Sequence, residues 1–301
     1  MYLPDFNYHR PSTLKEALDL LASCANIAPL AGGTDLLVEI KKGFRKFDDL
    51  VSLNSIRSLK KISENNGSIS IGAGATHSEI IESEIIKKFL PALASTCGTI
   101  GSSQIRNTGT IGGNLCTCAS CADTAPILLT FDAEVEITSN KGRRIILLEE
   151  FLKGHHINDL KKDELLTRIV VPKPSKNLSA YFEKFGLRNS AAISVVSIAI
   201  SVLHKDNKII NNSVVIGASA PTPIKCPRSM NLLMGQDIRE LNKMNENDKF
   251  LLEFGELVTK EIFPIDDIRG SGNYRRDIVK TISIRALLNV ISQFESNGGK
   301  K

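Results

Sequence analysis

Two short stretches in which paired glycines follow an apolar or polar lead constrain this chain more than any other feature. The first, Pro29-Leu30-Ala31-Gly32-Gly33-Thr34-Asp35-Leu36, starts in an apolar run, Ile27 to Ala31, and ends where Leu36, Leu37 and Ile40 take up helical spacing. A strand that turns through two glycines into a helix start lets another group approach the main chain and leaves N–H groups free to face an anion. The second, Thr110-Ile111-Gly112-Gly113-Asn114, is reached through Arg106-Asn107-Thr108-Gly109. Alone, the first reads more readily as a tight strand-to-helix turn, and the second also reads as a turn. Together they can offer donors from two sides, as a pyrophosphate flanked by sugar hydroxyls requires. Neither is a standard nucleotide fingerprint. Gly72-Ala73-Gly74 lacks the third glycine of a Rossmann turn, and no Gly-Lys-Ser/Thr run supports a P-loop.

Around these loops the pattern predicts strand–helix alternation. Thr13 and Glu16 suit a capping box ahead of Leu14, Ala17, Leu18 and Leu21, and Thr34 or Asp35 can cap a helix that Gly43 closes. Leu50 to Leu53 reads as the next strand, so the first fifty-odd residues suggest a small, mostly parallel sheet. Ser68 to Gly72 alternates as a strand, Thr76 with Glu79 caps a helix, and Ile85 to Thr96 is helical with a break at Pro91. Gly98 to Ser120 is expected to lack regular structure, a length that usually marks function. Val135 to Thr138 and Arg144 to Leu148 form a hairpin, and Leu165 to Val171 another strand. Pro172, Pro174, Ser175 and Asn177 read as a linker. Beyond it lie strands over Tyr181 to Phe185, Ile193 to Leu203 and Lys208 to Gly217, then helices over Met230 to Met234, Asp248 to Ile262 and Arg276 to Phe294. The apolar positions of the last helix cover more than one stripe, leaving open whether the excess is buried within the chain or against a partner. The expected domains are 1–175, with subdomains at about 1–55 and 56–175, and 176–301.

With 42% hydrophobic and 24% charged residues the chain reads as globular. No apolar run approaches the roughly 20 residues of a membrane helix, and the start, MYLPDFNYHRP, has no export pattern, so a cytoplasmic protein is expected. The excess of 5 positive charges is scattered and its densest run, Lys41, Lys42, Arg45 and Lys46, holds one aromatic, which argues against nucleic acid and for anionic ligands or an acidic partner face.

The residues resemble a known family in order along nearly the whole chain. Ala31-Gly32-Gly33-Thr34-Asp35-Leu36-Leu37, Thr110-Ile111-Gly112-Gly113-Asn114-Leu115 and Ala122-Asp123-Thr124-Ala125-Pro126 are similar to the FAD subunits of the xanthine dehydrogenase and carbon monoxide dehydrogenase family. So are Phe6 to Pro11, Ile71 to His77, Lys184-Phe185-Gly186, Gly217 to Pro223, Arg269-Gly270-Ser271 and Tyr274-Arg275-Arg276. The resemblance implies an α+β protein. A two-subdomain α/β FAD-binding domain of the PCMH/vanillyl-alcohol-oxidase type comes first, then a smaller α+β domain. It implies that Pro29, Leu30, Ala31, Gly32, Gly33, Thr34, Asp35 and Leu36 wrap the FAD pyrophosphate, and that Thr110, Ile111, Gly112, Gly113 and Asn114 contact the other side of the phosphates and ribose. Asp123 falls where the family holds FAD through a carboxylate, and Leu166 and Lys184 where it packs on and bonds to the flavin end. Ile100 stands where some relatives have an aromatic over the ring.

Such a subunit relays electrons. The resemblance implies a 2Fe–2S small subunit and a molybdopterin large subunit as partners, with NAD or another compound as final acceptor. The flavin carries the redox chemistry, so no catalytic acid, base or nucleophile is expected in the chain. Cys116, Cys118 and Cys121 contain a C-x-x-C spacing but lack the insertion in which some relatives hold a 4Fe–4S cluster. Free thiols are expected there and no metal, His155-His156 being read as a polar loop. Two other readings stay open: a free-standing FAD oxidoreductase, and a scaffold subunit that has lost FAD.

Overall fold

The protein, described here as a computed structural model, is defined over residues 2–188 and 191–298. The first unit contains β1 (Asn7–His9), α1 (Leu14–Ser23), β2 (Ile27–Leu30), α2 (Leu36–Lys41) and β3 (Asp49–Ser52). The three strands pair parallel in the order β1-β3-β2, as the alternation predicted, although β1 itself had no sequence signal. Ala17, Leu18 and Leu21 of α1 bury against Ile27 and Val51. Thr13 accepts from the Glu16 N–H, but the Glu16 carboxylate reaches back to Ser12 N–H (2.8 Å) rather than closing the box on Thr13. Gly43 (φ +78°) stops α2 by donating to Ile40 O.

A 3-10 turn, Arg57–Lys60, leads into β4 (Ile62–Asn65), β5 (Ser68–Gly72), α3 (His77–Glu82), α4 (Glu84–Phe89), α5 (Pro91–Gly98), α6 (Ser103–Thr108), α7 (Ile111–Thr117) and α8 (Thr124–Leu129). Then follow β6 (Glu134–Ser139), β7 (Gly142–Leu147), α9 (Leu148–Phe151), the short ribbon β8 (Leu152–Gly154) with β9 (Ile157–Asn158), and β10 (Leu165–Pro172). The five-stranded sheet β4-β5-β10-β6-β7 is antiparallel at every pairing. The stretch 98–120, expected to be irregular, folds into two short helices instead. Ser102 and Thr110 cap the two starts. Gly112 and Gly113 weaken the propensity of α7, but Ile111 and Leu115 fall four apart on one face and are fully buried, so tertiary burial outweighs propensity there.

The last unit comprises β11 (Leu178–Gly186), β12 (Ser194–Lys205), β13 (Lys208–Gly217), β14 (Ile224–Lys225), α10 (Pro227–Leu233), α11 (Ile238–Asn242), α12 (Lys249–Lys260) and α13 (Gly272–Gly298). The antiparallel sheet β11-β12-β13-β14 is separate from that of β10. Strand β12 is buried on both faces from Ser194 to Val202. Val196, Ile198, Ile200 and Val202 pack on the C-terminal helices, while Ala199 joins the core of the preceding unit and Ser201 donates to Thr130 O (3.1 Å). In α13, Val279, Ile282, Ile284, Leu287, Val290 and Ile291 are buried within the chain, which accounts for the broad apolar face. Among the described residues no helix is long and apolar enough to cross a membrane. Leu287→Ala should lower the unfolding free energy by about 2–5 kcal/mol in urea titrations. Ile268→Ala, at a fully exposed side chain, should shift it by less than about 0.5 kcal/mol; equal effects would contradict this packing.

Candidate cofactor site

The two glycine loops meet at main-chain level. A Cβ on Gly32 would overlap Thr108 O and lie 2.9 Å from Gly109 Cα, so the first loop lies directly on the segment that leads into the second. Gly33 holds φ +70° with Leu30 and Leu37 closed around it, a conformation and a space that exclude a side chain. Asp35 occupies the cap position of α2 but its carboxylate makes no cap hydrogen bond. Among the described residues the N–H groups of Gly32, Gly33, Thr34, Asp35 and Leu36 donate no hydrogen bond, so five main-chain donors in sequence remain available. The surrounding protein pushes the Asp35 carboxyl above its ordinary range, Glu39 adds to this, and His156 opposes it.

The second loop differs. Thr110 Oγ1 accepts from Gly113 N–H (3.0 Å), Ile111 N–H donates to Ala75 O (3.0 Å), Gly112 N–H to Ala73 O (2.8 Å) and Asn114 N–H to Thr110 O (2.9 Å). The Ile111 and Gly112 donors anchor α7 on the turn between β5 and α3, those of Gly113 and Asn114 close on Thr110, and none of the four is free for an anion. A Cβ on Gly112 would stand 2.6 Å from Ala73 Cβ and O, whereas one on Gly113 would meet only Thr110 Oγ1 (2.9 Å). Gly112 is therefore closed by backbone, while at Gly113 only the Thr110 hydroxyl that caps α7 would have to give. Asn114 Oδ1 accepts from Thr124 Oγ1, which leaves its amide N–H groups unused among the described residues. This loop offers side chains and one open face; the first loop offers main-chain donors.

Asp123, at the start of α8, is 6% exposed. Lys184 Nζ on β11 donates to its Oδ2 (2.8 Å) and Ser194 Oγ on β12 to its Oδ1 (2.6 Å). Burial pushes this carboxyl up, opposed by the Lys184 ammonium and the Ser194 hydroxyl. Lys184 also donates to Ala192 O (3.1 Å). Asp123 and Lys184, 61 residues apart in the chain, are thus brought together, while Leu166 is enclosed in the core on β10. Ser194 had no motif of its own; a serine beginning an apolar strand was the signal. Behind this pair, buried Arg275 donates to Val195 O and Ala218 O (3.0 Å) and pairs with Asp267 (2.6 Å). Desolvation raises the Asp267 carboxyl, but the Arg269 N–H and the Arg269 and Arg275 guanidiniums outweigh it and hold it at about 2.

The cysteines of 116–121 do not converge. Cys118 Sγ donates to Leu115 O (3.1 Å) within the core, and burial pushes Cys118 up to about 11 and Cys116 to about 12. Cys121 lies beside Arg269; burial raises it and the guanidinium opposes. Thiols held protonated are poor ligands and nucleophiles. Among the described residues no three His, Cys, Asp or Glu side chains are grouped to hold a metal ion. The His155 and His156 rings lie 4.1 Å apart, tilted by 60°, on the turn between β8 and β9, with His156 Nδ1–H donating to Thr117 O (2.9 Å).

A run of free main-chain donors at a strand–helix turn, closed by a second loop bearing side-chain amides, fits the phosphates of a dinucleotide. The fold and this site define a two-domain flavoprotein. The sequence pattern of the family described as the FAD binding domain in molybdopterin dehydrogenase matches residues 4–174, and that of the CO dehydrogenase flavoprotein C-terminal domain matches residues 180–290. The chain is 29% identical over 296 residues to the xanthine dehydrogenase FAD-binding subunit of Escherichia coli O157:H7, with 98% of each chain covered. It is 28% identical over 299 residues to the nicotinate dehydrogenase FAD-subunit of Eubacterium barkeri, covering 97% of this chain and 98% of that one. A chain of quinoline 2-oxidoreductase from Pseudomonas putida 86 superposes with a TM-score of 0.90 at 27% identity, covering 97% of this chain and 99% of that one. The chain belongs to the family of FAD-binding subunits of molybdopterin dehydrogenases, oxidoreductase subunits whose cofactor is FAD.

Gly113→Val should abolish flavin retention and lower the melting temperature of the flavin-free chain less than Gly112→Val does. Full flavin content in Gly113→Val would remove the second loop from the site. Asp267 contributes a stabilisation present above its unfolded value of 3.8 and lost as the pH falls towards about 2. Acid unfolding should therefore be steeper in the wild type than in Asp267→Asn across that window, and coincident profiles would contradict the pairing.

Proposed function

We propose that this chain is the electron-relay subunit of a heteromeric molybdenum hydroxylase. It would take electrons from 2Fe–2S clusters on a small partner subunit, the substrate being oxidised at molybdopterin on a large one, and deliver them through FAD to NAD or another acceptor in the cytoplasm. In this reading residues 1–175 hold the cofactor and 176–301 close its flavin end. Gly32 to Leu36 donate to the pyrophosphate, Gly113 and Asn114 meet its other side, and Asp123 with Lys184 positions the flavin end, Leu166 supporting from the core.

The observation that carries the reading is the row of N–H groups from Gly32 to Leu36, unpaired among the described residues and pressed against Thr108–Gly109, in a chain 98% of which aligns with an FAD-binding relative. Flavin, when bound, accepts and passes on electrons; the protein supplies position and electrostatics. The side chains fit that division of labour. Asp123 and Lys184, the most deeply buried charged pair near the site, are committed to each other and to Ser194, so neither is a free acid or base.

The test is purification of the tagged chain alone and from its native host. Alone, it should be yellow, or become so with FAD, and should oxidise no organic substrate; from the host, it should carry iron and molybdenum in associated subunits. A colourless chain that takes up no FAD would overturn the reading in favour of a scaffold. Substrate turnover by the isolated chain would transfer it to a free-standing oxidoreductase.

A further inference from the structure

One imidazole beside the loop crossing is buried. His77, the first residue of α3, is 2% exposed, and among the described residues its Nδ1 has no hydrogen-bond partner. Its backbone N–H donates to Gly109 O (3.1 Å), tying α3 to the segment on which Gly32 rests. A Cβ on Gly109 would stand 3.4 Å from His77 Cδ2 and 3.6 Å from Thr34 Oγ1. The imidazole edge that carries Cδ2 and Nε2 and the Thr34 hydroxyl thus converge on the space left by the missing side chain, next to the free N–H groups of the first loop.

Burial and the neighbouring Arg106 guanidinium bring this imidazole down to about 4, so it is neutral near pH 7. Arg106 NH1 is itself committed to Ile100 O (3.0 Å) and Gly101 O (3.2 Å). A neutral imidazole has one N–H and one bare nitrogen. Orphaned buried N–H groups are rarer in folded proteins than under-used acceptors, so the proton belongs on Nε2, at the recess, with Nδ1 left as the enclosed acceptor. Donors at this place suit an oxygen-rich anion, and a neutral donor avoids the desolvation of a buried cation.

We propose that His77 is a further cofactor-binding residue, its Nε2–H donating to a phosphate oxygen of the bound dinucleotide in a recess completed by Thr34 and Gly109. The inference rests on the FAD reading above and adds a side-chain donor to the main-chain cradle.

Dissociation constants for FAD, ADP and riboflavin, measured by titration of the flavin-free full-length chain, test it. His77→Leu should weaken FAD and ADP by the same factor, about tenfold or more for one lost charge-assisted hydrogen bond, and leave riboflavin unchanged. His77→Gln, which keeps an N–H at the same reach, should recover binding to within about threefold. Gly109→Ala adopts an ordinary backbone (φ −64°) but fills the recess, and should weaken FAD and ADP alike. Wild-type affinities in His77→Leu would overturn the proposal. So would a His77→Gln variant as impaired as His77→Leu, which would make the imidazole a packing residue. A wild-type chain that binds neither FAD nor ADP would instead overturn the FAD reading itself.

Discussion

The close approach of Gly32 to Thr108 and Gly109 is the constraint on which the rest of the site depends. Two distant segments touch main chain to main chain, which no side chain at residue 32 would allow. That contact fixes the spacing between the first loop and α7, beside five consecutive N–H groups that have no partner among the described residues. Unpaired main-chain donors are unfavourable unless water or a ligand meets them, so the crossing is a structure that an anion completes. The second loop carries the mechanical load: its donors hold Ala73 and Ala75, and its buried Ile111 and Leu115 lock α7 into the core.

The C-terminal unit is placed by a strand with two different faces. On one, β12 presents Val196, Ile198, Ile200 and Val202 to the terminal helices; on the other, the small residues Ser197, Ala199 and Ser201 let α8 come close. Gly217 serves the same end, since a Cβ there would stand 2.9 Å from Pro126. The short spacing brings Asp123 at the start of α8 within reach of Lys184 and Ser194. Burying such a pair is costly, and it is tolerable because both carboxylate oxygens and the ammonium are met by partners. The same ion pair thereby ties β11 and β12 of the last unit to α8 of the preceding one.

Burial also decides the chemistry of the thiols. A C-x-x-C spacing by itself allows a redox pair or a ligand set, but Cys118 faces the core and Cys116 is kept protonated by its surroundings. Spacing counts residues along the chain, whereas ligation depends on where the side chains converge.

The sequence alone determined the local frames and the family: the strand–glycine–helix turn, the Thr76–Glu79 capping box, the parallel start, the break at Pro91 and the motifs that match the FAD subunits are all patterns of near neighbours, which local sterics and propensity govern. It did not reveal the two short helices within residues 98–120, the second of which forms through burial of Ile111 and Leu115 against other elements. Nor did it separate Gly112, which packs against backbone, from Gly113, which meets only the Thr110 hydroxyl, or join Asp123 to Lys184, or show that the broad apolar face of α13 is buried within its own chain. Those depend on which surfaces meet in space, and contacts between residues far apart in sequence exist only after the chain has folded.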